Sequence, residues 1–141
     1  MSKLHIGIDL GGTKIESVVL DSKLNILFRE RVPTESNKGS IHVINQIEKI
    51  YLKATNSIKN KSHTLGIGTP GSISKNNGLL RNSTILCQNG LPIDKLIEKK
   101  LKRSVVIEND ANCFALAEAT IGSGQKFSLV FGVIMGTGCG G

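Results

Sequence analysis

The hydrophobic pattern of the chain changes its period several times, and the order of these changes restricts the fold. Three short patterns of the strand type come first, and turns rich in glycine or polar residues separate them. They cover residues 4–10, 15–20 and 24–32. Because strands joined by short turns pair in antiparallel fashion, the sequence predicts that the chain begins with a three-stranded meander.

Helix and strand patterns alternate after this meander. Apolar side chains recur at intervals of three and four over residues 41–58, which predicts a long amphipathic helix. Further helices are predicted over residues 92–103 and 109–121, strands over 64–68, 105–108 (buried) and 127–135, and a loop or small ribbon over 72–90. The predicted order of elements is therefore βββαβαβαβ, which is typical of the α/β class.

The composition suits one globular domain. A chain of 141 residues with 39% hydrophobic residues can form its own core. Neither a secretory signal nor an apolar run of about 20 residues is apparent, so we expect a cytoplasmic protein without a membrane segment. The three cysteines, Cys87, Cys113 and Cys139, are widely separated, and this spacing indicates neither a disulfide framework nor a zinc site.

The charge of the chain favours an anionic ligand. A net charge of +7 suits nucleotide phosphates as well as nucleic acid. The densest basic run, residues 95–103, alternates with apolar residues at helical spacing, which is typical of the solvated face of an amphipathic helix. Since no aromatic side chain accompanies these lysines for base stacking, a nucleic-acid interface is disfavoured.

The segment IDLGGTK places a carboxylate at the end of the first strand pattern, directly before a glycine turn. Gly11 and Gly12 would let a phosphate approach the backbone N–H groups, while Thr13 and Lys14 add a hydroxyl and a positive charge. Asp9 is then suited to hold Mg²⁺ beside those phosphates through its water molecules. A plain hairpin in which Asp9 caps the turn fits the same residues.

A second carboxylate, Asp110, follows the strand pattern of residues 105–108 at the start of a helix. There the helix dipole favours the ionised carboxylate by about 0.3–1 kcal/mol. A carboxylate at this position is a candidate general base, although Asn109 and Asp110 are also preferred helix-capping residues. Residues 66–71 and 136–141 fit the spacing G-x-G-x-x-G, but neither is expected to open a helix, so a dinucleotide site is disfavoured.

Two segments of the chain are similar to each other. Residues 6–14 and 131–139 both read as an apolar strand that ends in a turn of glycine and threonine. If this likeness is not chance, a second lobe begins near Phe127.

Taken together, the chain resembles the ROK sugar kinases. The resemblance lies in IDLGGTK, in the loop of residues 68–73, in the block of residues 108–118 and in the glycine-rich residues 136–141. Asn82-Ser-Thr84, followed by Asn89-Gly90, is most similar to the bacterial fructokinase (mannofructokinase) branch. The resemblance implies an actin-like ATPase (ribonuclease H-like) lobe over residues 1–122, with a mixed five-stranded sheet and flanking helices. Residues 123–141 would be the start of a truncated second lobe and contain its first strand.

The family resemblance also implies roles for particular residues. Asp110 would take the proton of the 6-hydroxyl of a hexose, fructose or a related sugar, and Asn109 would hold a neighbouring hydroxyl. The other sugar-binding residues would be Gly71, Ser72 and Asn82. ATP would lie against Asp9 (with Mg²⁺), Gly11, Gly12, Thr13 and Lys14, and across the cleft against Gly136, Thr137 and Gly138. The zinc site of the family is not contained in this chain.

The resemblance leaves two other functions open. The chain could be part of a sugar-responsive transcriptional regulator, as some ROK proteins are, or a non-catalytic sugar-binding module. The regulators carry a helix-turn-helix ahead of the first strand, for which residue 4 as the strand start leaves no room here. We therefore expect a lobe of an ATP-dependent kinase. We also expect that it forms homodimers and that it has little or no activity alone. The apolar segment 127–135 would be an association hazard through which the chain dimerises or swaps.

Overall fold

The computed structural model describes residues 3–135 and the backbone of residues 139 and 140. Its elements are β1 (Leu4–Leu10), β2 (Lys14–Leu20), β3 (Ile26–Pro33), α1 (Ser40–Ser57), β4 (His63–Thr69), β5 (Ser72–Ile73), β6 (Leu80–Arg81), α2 (Ile93–Leu101), β7 (Val106–Asn109), α3 (Asp110–Ile121), β8 (Ile134–Met135) and β9 (Cys139–Gly140). The predicted order of elements is confirmed as far as α3, with a small β5–β6 ribbon in the turn-rich segment.

Five strands form one mixed sheet in the order β3-β2-β1-β4-β7. The first three strands pair in antiparallel fashion, whereas β1, β4 and β7 are parallel to one another. The carboxyl ends of these parallel strands therefore reach one side of the sheet, which we call the carboxyl edge. There, Asp9 of β1 lies opposite Gly68 of β4, and Gly68 lies opposite Glu108 of β7.

One face of the sheet is covered by α1 and α2 and carries the core. Buried and less buried residues alternate along β1, so that Ile6, Ile8 and Leu10 point toward α1 while Asp9 points to the opposite face. The buried residues of the helices in this core include Val43, Ile47, Ile50, Ala54 and Ile97. None of the helices within residues 3–135 combines the length and the apolar character required to cross a membrane.

The opposite face carries α3, which begins directly above β4. A Cβ atom added to Gly68 would lie 3.6 Å from the Sγ atom of Cys113 and 3.8 Å from the Cα atom of Asp110. The first turn of α3 thus lies against a strand position without a side chain. This packing places Asp110 at the carboxyl edge.

Two strand predictions need correction. The third strand begins at Ile26 rather than Leu24, because Leu24 has a left-handed backbone (φ 64°) in a turn that Asp21 holds by accepting the N–H groups of Lys23 and Asn25. The strand predicted as buried over 105–108 is β7, which is one of the two edge strands of the sheet, and its Val106 is 72% exposed.

The strand predicted over residues 127–135 is also wrong for most of its length. Only Ile134 and Met135 are in strand conformation, paired with residues 139–140, whereas Phe127, Leu129 and Phe131 are irregular and exposed. A central apolar strand gains its stability from neighbouring strands on both sides, and among the described residues only 139–140 pair with this segment, at its last two residues. The association expected through it stays a prediction.

Candidate active site

The turn of residues 11–13, which we call the glycine hairpin, joins β1 to β2 at the carboxyl edge. The N–H group of Gly11 donates to the Lys14 carbonyl at 3.1 Å, and a Cβ atom on Gly11 would lie 2.7 Å from that oxygen. Only glycine therefore fits this position without a shift of the backbone. Within the described residues, the N–H groups of Gly12 and Thr13 donate to no backbone carbonyl. Such N–H groups can donate hydrogen bonds to phosphate oxygens, so the hairpin is suited to the predicted nucleotide.

The carboxylates of Asp9 and Asp110 lie close enough to repel each other. Partial burial of the Asp9 carboxylate raises its pKa above the ordinary value, the negative charges of Asp110 and Glu16 raise it further, and Lys14 opposes the shift. Burial and the charges of Glu108, Asp110 and Asp9 likewise raise the pKa of the neighbouring Cys113 thiol. Asp9 lies beside Gly68 in the sheet, and the Cα atom of Asp110 lies over Gly68, so the two predicted site residues lie near each other at the carboxyl edge.

The carboxylates of Asp9 and Asp110 are of the ligand type that a hard divalent cation prefers. Mg²⁺ prefers oxygen ligands and is usually bound by one or two carboxylates together with phosphate oxygens and water. Among the described residues no three His, Cys, Asp or Glu side chains form a metal cluster. A cation at Asp9 would thus take its other ligands from water and phosphate.

The raised pKa of Asp9 predicts a gain in stability for Asp9→Asn. The native chain holds this proton to higher pH than the unfolded chain, so stability falls as pH rises from the ordinary value of 3.8 through the raised value. At pH 7 the native chain bears the whole free-energy cost of ionising Asp9, and the substitution by asparagine removes this cost. We expect urea denaturation to show a higher free energy of unfolding for Asp9→Asn at pH 7 and a smaller difference near pH 4.

The matched control is Asp21→Asn at the opposite end of the sheet. Hydrogen bonds from Asn25 and Lys23 lower the pKa of Asp21, so its ionised form stabilises the fold above the ordinary value of 3.8. This variant should lose stability at pH 7. A loss of stability at pH 7 in both variants would contradict the proximity of Asp9 and Asp110.

Asn109 is the N-cap of α3. Its Oδ1 atom accepts the N–H groups of Ala111 at 3.0 Å and Asn112 at 3.2 Å, and its Nδ2 atom donates to the Gly71 carbonyl at 2.8 Å. Capping is therefore confirmed. Because an amide oxygen has two lone pairs and the NH₂ group has two hydrogens, one N–H of Asn109 is left for a ligand.

Asp110 is the first residue of α3, and its Oδ1 atom accepts the Ala111 N–H at 2.8 Å. Within the described part of the chain its Oδ2 atom accepts no hydrogen bond from a protein group. One oxygen thus orients the carboxylate while the second is available at the carboxyl edge.

The loop that carries Asn82 is packed directly against Gly71. Gly71 has φ +82°, and a Cβ atom there would lie 2.4 Å from the Arg81 carbonyl oxygen and 2.8 Å from the Ser83 nitrogen. Since Asn109 binds the carbonyl of Gly71, the predicted residues Gly71, Asn82 and Asn109 are brought together at the carboxyl edge.

Asn89 holds this loop from the other side, a role that sequence reasoning missed. Its Oδ1 atom accepts the Ser83 N–H and its Nδ2 atom donates to the Ser83 carbonyl, both at 2.9 Å. Asn82 has a left-handed backbone (φ 57°), a conformation that asparagine tolerates. The Asn89-Gly90 turn signal was the available hint, but turn chemistry does not reveal which backbone a side chain will bind.

This loop also lies close to the glycine hairpin, a proximity that was not predicted from the sequence. The Oγ1 atom of Thr84 lies 3.8 Å from the position a Cβ atom would take on Gly12. Ser72 begins β5 and lines an open cavity of about 580 Å³ together with Asn109 and Glu108. Gly136, Thr137 and Gly138, the predicted second phosphate turn, lie outside the described residues.

Sequence comparison finds relatives among sugar kinases. The chain is 39% identical over 138 residues to the N-acetyl-D-glucosamine kinase of Histophilus somni, an alignment that covers 98% of this chain and 45% of the relative. It is 36% identical to the N-acetylgalactosamine kinase of Shewanella sp. (strain ANA-3), with 98% and 44% covered. The chain therefore spans less than half the length of these curated relatives.

Structure comparison gives the same result. The ROK hexokinase from Thermus thermophilus superposes with a TM-score of 0.73 at 35% identity, covering 86% of this chain and 40% of that one. The ROK family glucokinase from Streptomyces griseus, in complex with glucose and AMPPNP, gives 0.79 at 28% identity, with 97% and 43% covered. The five-stranded sheet and its helices are thus an actin-like ATPase lobe. The model of the ROK family matches residues 5–141, and the chain belongs to this family.

Proposed function

We propose that this chain is the amino-terminal lobe of an ATP-dependent kinase that phosphorylates the 6-hydroxyl of a hexose. The observation that carries the proposal is the meeting of Asp9, Asp110 and the glycine hairpin at one edge of the sheet. A nucleotide site and a general base are then side by side. The kinase relatives named above support the same reaction class.

The glycine hairpin would bind the phosphates of ATP. The N–H groups of Gly12 and Thr13, the Thr13 hydroxyl and the Lys14 ammonium are the donors that this turn offers. Asp9 would hold Mg²⁺ through water. The cation, when bound, offsets negative charge that develops on the phosphates during transfer.

Asp110 would act as the general base. Its carboxylate accepts the proton of the sugar 6-hydroxyl while that oxygen forms a bond to the γ-phosphorus, and the bond from phosphorus to the bridging oxygen of ADP breaks. The hydrogen bond from the Ala111 N–H to Oδ1 fixes the orientation of the carboxylate before the sugar arrives.

Gly71, Ser72, Asn82 and Asn109 would form one wall of the sugar pocket. Asn109 can offer its one remaining N–H to a sugar hydroxyl, since its other polar groups are occupied by α3 and Gly71. This arrangement makes Asn109 both a cap and a ligand.

We also propose the domain division at residue 122. α3 ends at Ile121, and Gly122 follows as its C-cap. Residues 123–141 would then begin the second lobe, and Gly136, Thr137 and Gly138 would form the phosphate turn that faces the glycine hairpin.

For the sugar, the relatives favour N-acetyl-D-glucosamine or glucose over fructose. The proteins named above are N-acetylhexosamine kinases, a hexokinase and a glucokinase, so they give no support to fructose. A DNA-binding role gains nothing from the structure, because Lys95 and Lys100 of the basic helix α2 are paired with Glu98 and Glu48.

The test is a substrate panel on the chain joined to a second lobe, taken from the Histophilus somni relative. We expect phosphorylation of N-acetyl-D-glucosamine or glucose, with kcat/KM at least about tenfold above that for fructose, because a site built to pair polar groups rejects sugars that leave them unpaired. The matched control is the same fusion carrying Asp110→Asn. A fusion that binds sugar and AMPPNP but transfers no phosphate to any hexose would contradict the proposal.

A further inference from the structure

Thr34, which follows β3 directly, contacts the glycine hairpin from the side of β3. Its side chain is fully buried. The hydroxyl donates to the carbonyl of Gly11 at 2.6 Å, and the backbone N–H donates to the carbonyl of Thr13 at 2.9 Å. Thr34 therefore binds two of the carbonyl oxygens of the turn to which we assign the ATP phosphates.

These bonds fix the direction of a phosphate-binding group. The carbonyl of Gly11 and the N–H of Gly12 belong to one planar trans peptide, in which they point in opposite directions. Because Thr34 holds the carbonyl, the N–H of Gly12 points away from Thr34. Two consecutive glycines have little intrinsic preference for this orientation, so a contact from outside the turn is needed to hold it.

The position of Thr34 is itself supported by α1. The side chain of Gln46 is buried, and its Nε2 atom donates to the carbonyl of Pro33 at 2.7 Å. Gln46, Pro33 and Thr34 thus connect the core helix to the glycine hairpin. A carbonyl that turned toward the phosphates would repel them, and this connection prevents such a rotation.

We propose that Thr34 is a positioning residue for the nucleotide phosphates: its hydroxyl holds the Gly11 carbonyl away from them and aims the Gly12 N–H toward them. The proposal rests on the proposed function of the hairpin. A residue that only stabilised the fold would affect nucleotide and sugar binding alike, whereas a positioning residue affects the nucleotide selectively.

The experiment uses the ¹⁵N-labelled chain and two probes. Mg²⁺-loaded AMPPNP is titrated while the amide resonances of Gly12 and Thr13 are followed, and N-acetyl-D-glucosamine is titrated while the side-chain amide of Asn109 is followed. The variants are Thr34→Val, which keeps the shape and removes the donor, and Thr34→Ser, which keeps the donor. Thr55→Val is the control, since this buried hydroxyl donates to the Leu52 carbonyl within α1.

We expect Thr34→Val to weaken AMPPNP binding by about tenfold, because the substitution removes one hydrogen bond and leaves the Gly11–Gly12 peptide free to rotate. Thr34→Ser and Thr55→Val should stay within about threefold of the unsubstituted chain, and sugar binding should not change in any variant. Unchanged AMPPNP affinity in Thr34→Val, or an equal loss for both probes without rescue by Thr34→Ser, would overturn the positioning role.

Two further outcomes are also decisive. If AMPPNP does not shift the Gly12 and Thr13 amides of the unsubstituted chain, the proposed nucleotide site fails and the role of Thr34 fails with it. If Thr34→Val does not fold, the positioning role is tested instead by the exchange rate of the Thr34 hydroxyl proton in the unsubstituted chain. Slow exchange of this proton with water supports the bond to Gly11, and exchange at the rate of a free hydroxyl overturns it.

Discussion

We expect the substitution Asp110→Asn to lower kcat by roughly 10²–10⁴-fold in this chain joined to a second lobe, because general-base catalysis contributes about that factor. An amide keeps a hydrogen-bonding oxygen for the Ala111 N–H but cannot accept the proton of the sugar hydroxyl. Sugar affinity should change only a few-fold. The measurement is a steady-state assay of ADP release together with calorimetric titration of the sugar.

The control for this prediction is Asp21→Asn, which makes the same chemical change at the far end of the sheet. Asp21 holds the turn between β2 and β3 through hydrogen bonds to Lys23 and Asn25. Below its unfolding transition this variant should keep kcat within about twofold, since a remote surface change rarely affects chemistry. Full turnover of Asp110→Asn would contradict the assignment of the base.

The second large effect is expected for Gly71→Ala. A methyl group at this position would lie 2.4 Å from the Arg81 carbonyl oxygen, and the residue would also have to adopt φ +82°. We expect a loss of about 3 kcal/mol or more in the free energy of unfolding, measured by urea denaturation. Since the clash is with the backbone beside Asn82, sugar binding should also be lost.

Gly78→Ala separates the clash from the backbone strain. Gly78 lies in the same segment with φ +72°, but a Cβ atom there would meet no other atom within 4 Å. Its substitution should cost only the roughly 1–2 kcal/mol of a left-handed alanine. Equal losses in the two variants would show that Gly71 is not packed against residues 81–83 as described.

The fold was largely predictable because local patterns and the packing of the core agree. The period of two in β1 and the spacing of three and four in α1 place Ile8 and Ile47 in the same core, as the structure has them. The same reasoning gave a wrong prediction for the segment 127–135. Its apolar residues are typical of a central strand, but a strand also requires neighbours, and the pattern carries no information about them.

The candidate site was predictable only in part. Asp9 and Asp110 follow from motifs, whereas Gly71 and Asn82 follow from the family resemblance. Parallel strand pairing accounts for the common location of Asp9 and Asp110 at the carboxyl edge. The hydrogen bonds that Thr34 and Asn89 make with backbone groups, and the proximity of Thr84 to Gly12, depend on the folded geometry. Single threonine and asparagine residues occur throughout the sequence, and nothing local distinguishes these three.

The central claim is that one site at the carboxyl edge binds a nucleotide at the glycine hairpin and a sugar at Asp110. The most direct test is a crystal structure of this chain joined to a second lobe, with Mg²⁺, AMPPNP and N-acetyl-D-glucosamine. We predict phosphate oxygens within hydrogen-bond distance of the Gly12 N–H and the sugar 6-hydroxyl within hydrogen-bond distance of the Asp110 carboxylate. A nucleotide or sugar bound away from these two groups, for example near Leu4 and Asp21 at the opposite end of the sheet, would contradict the claim.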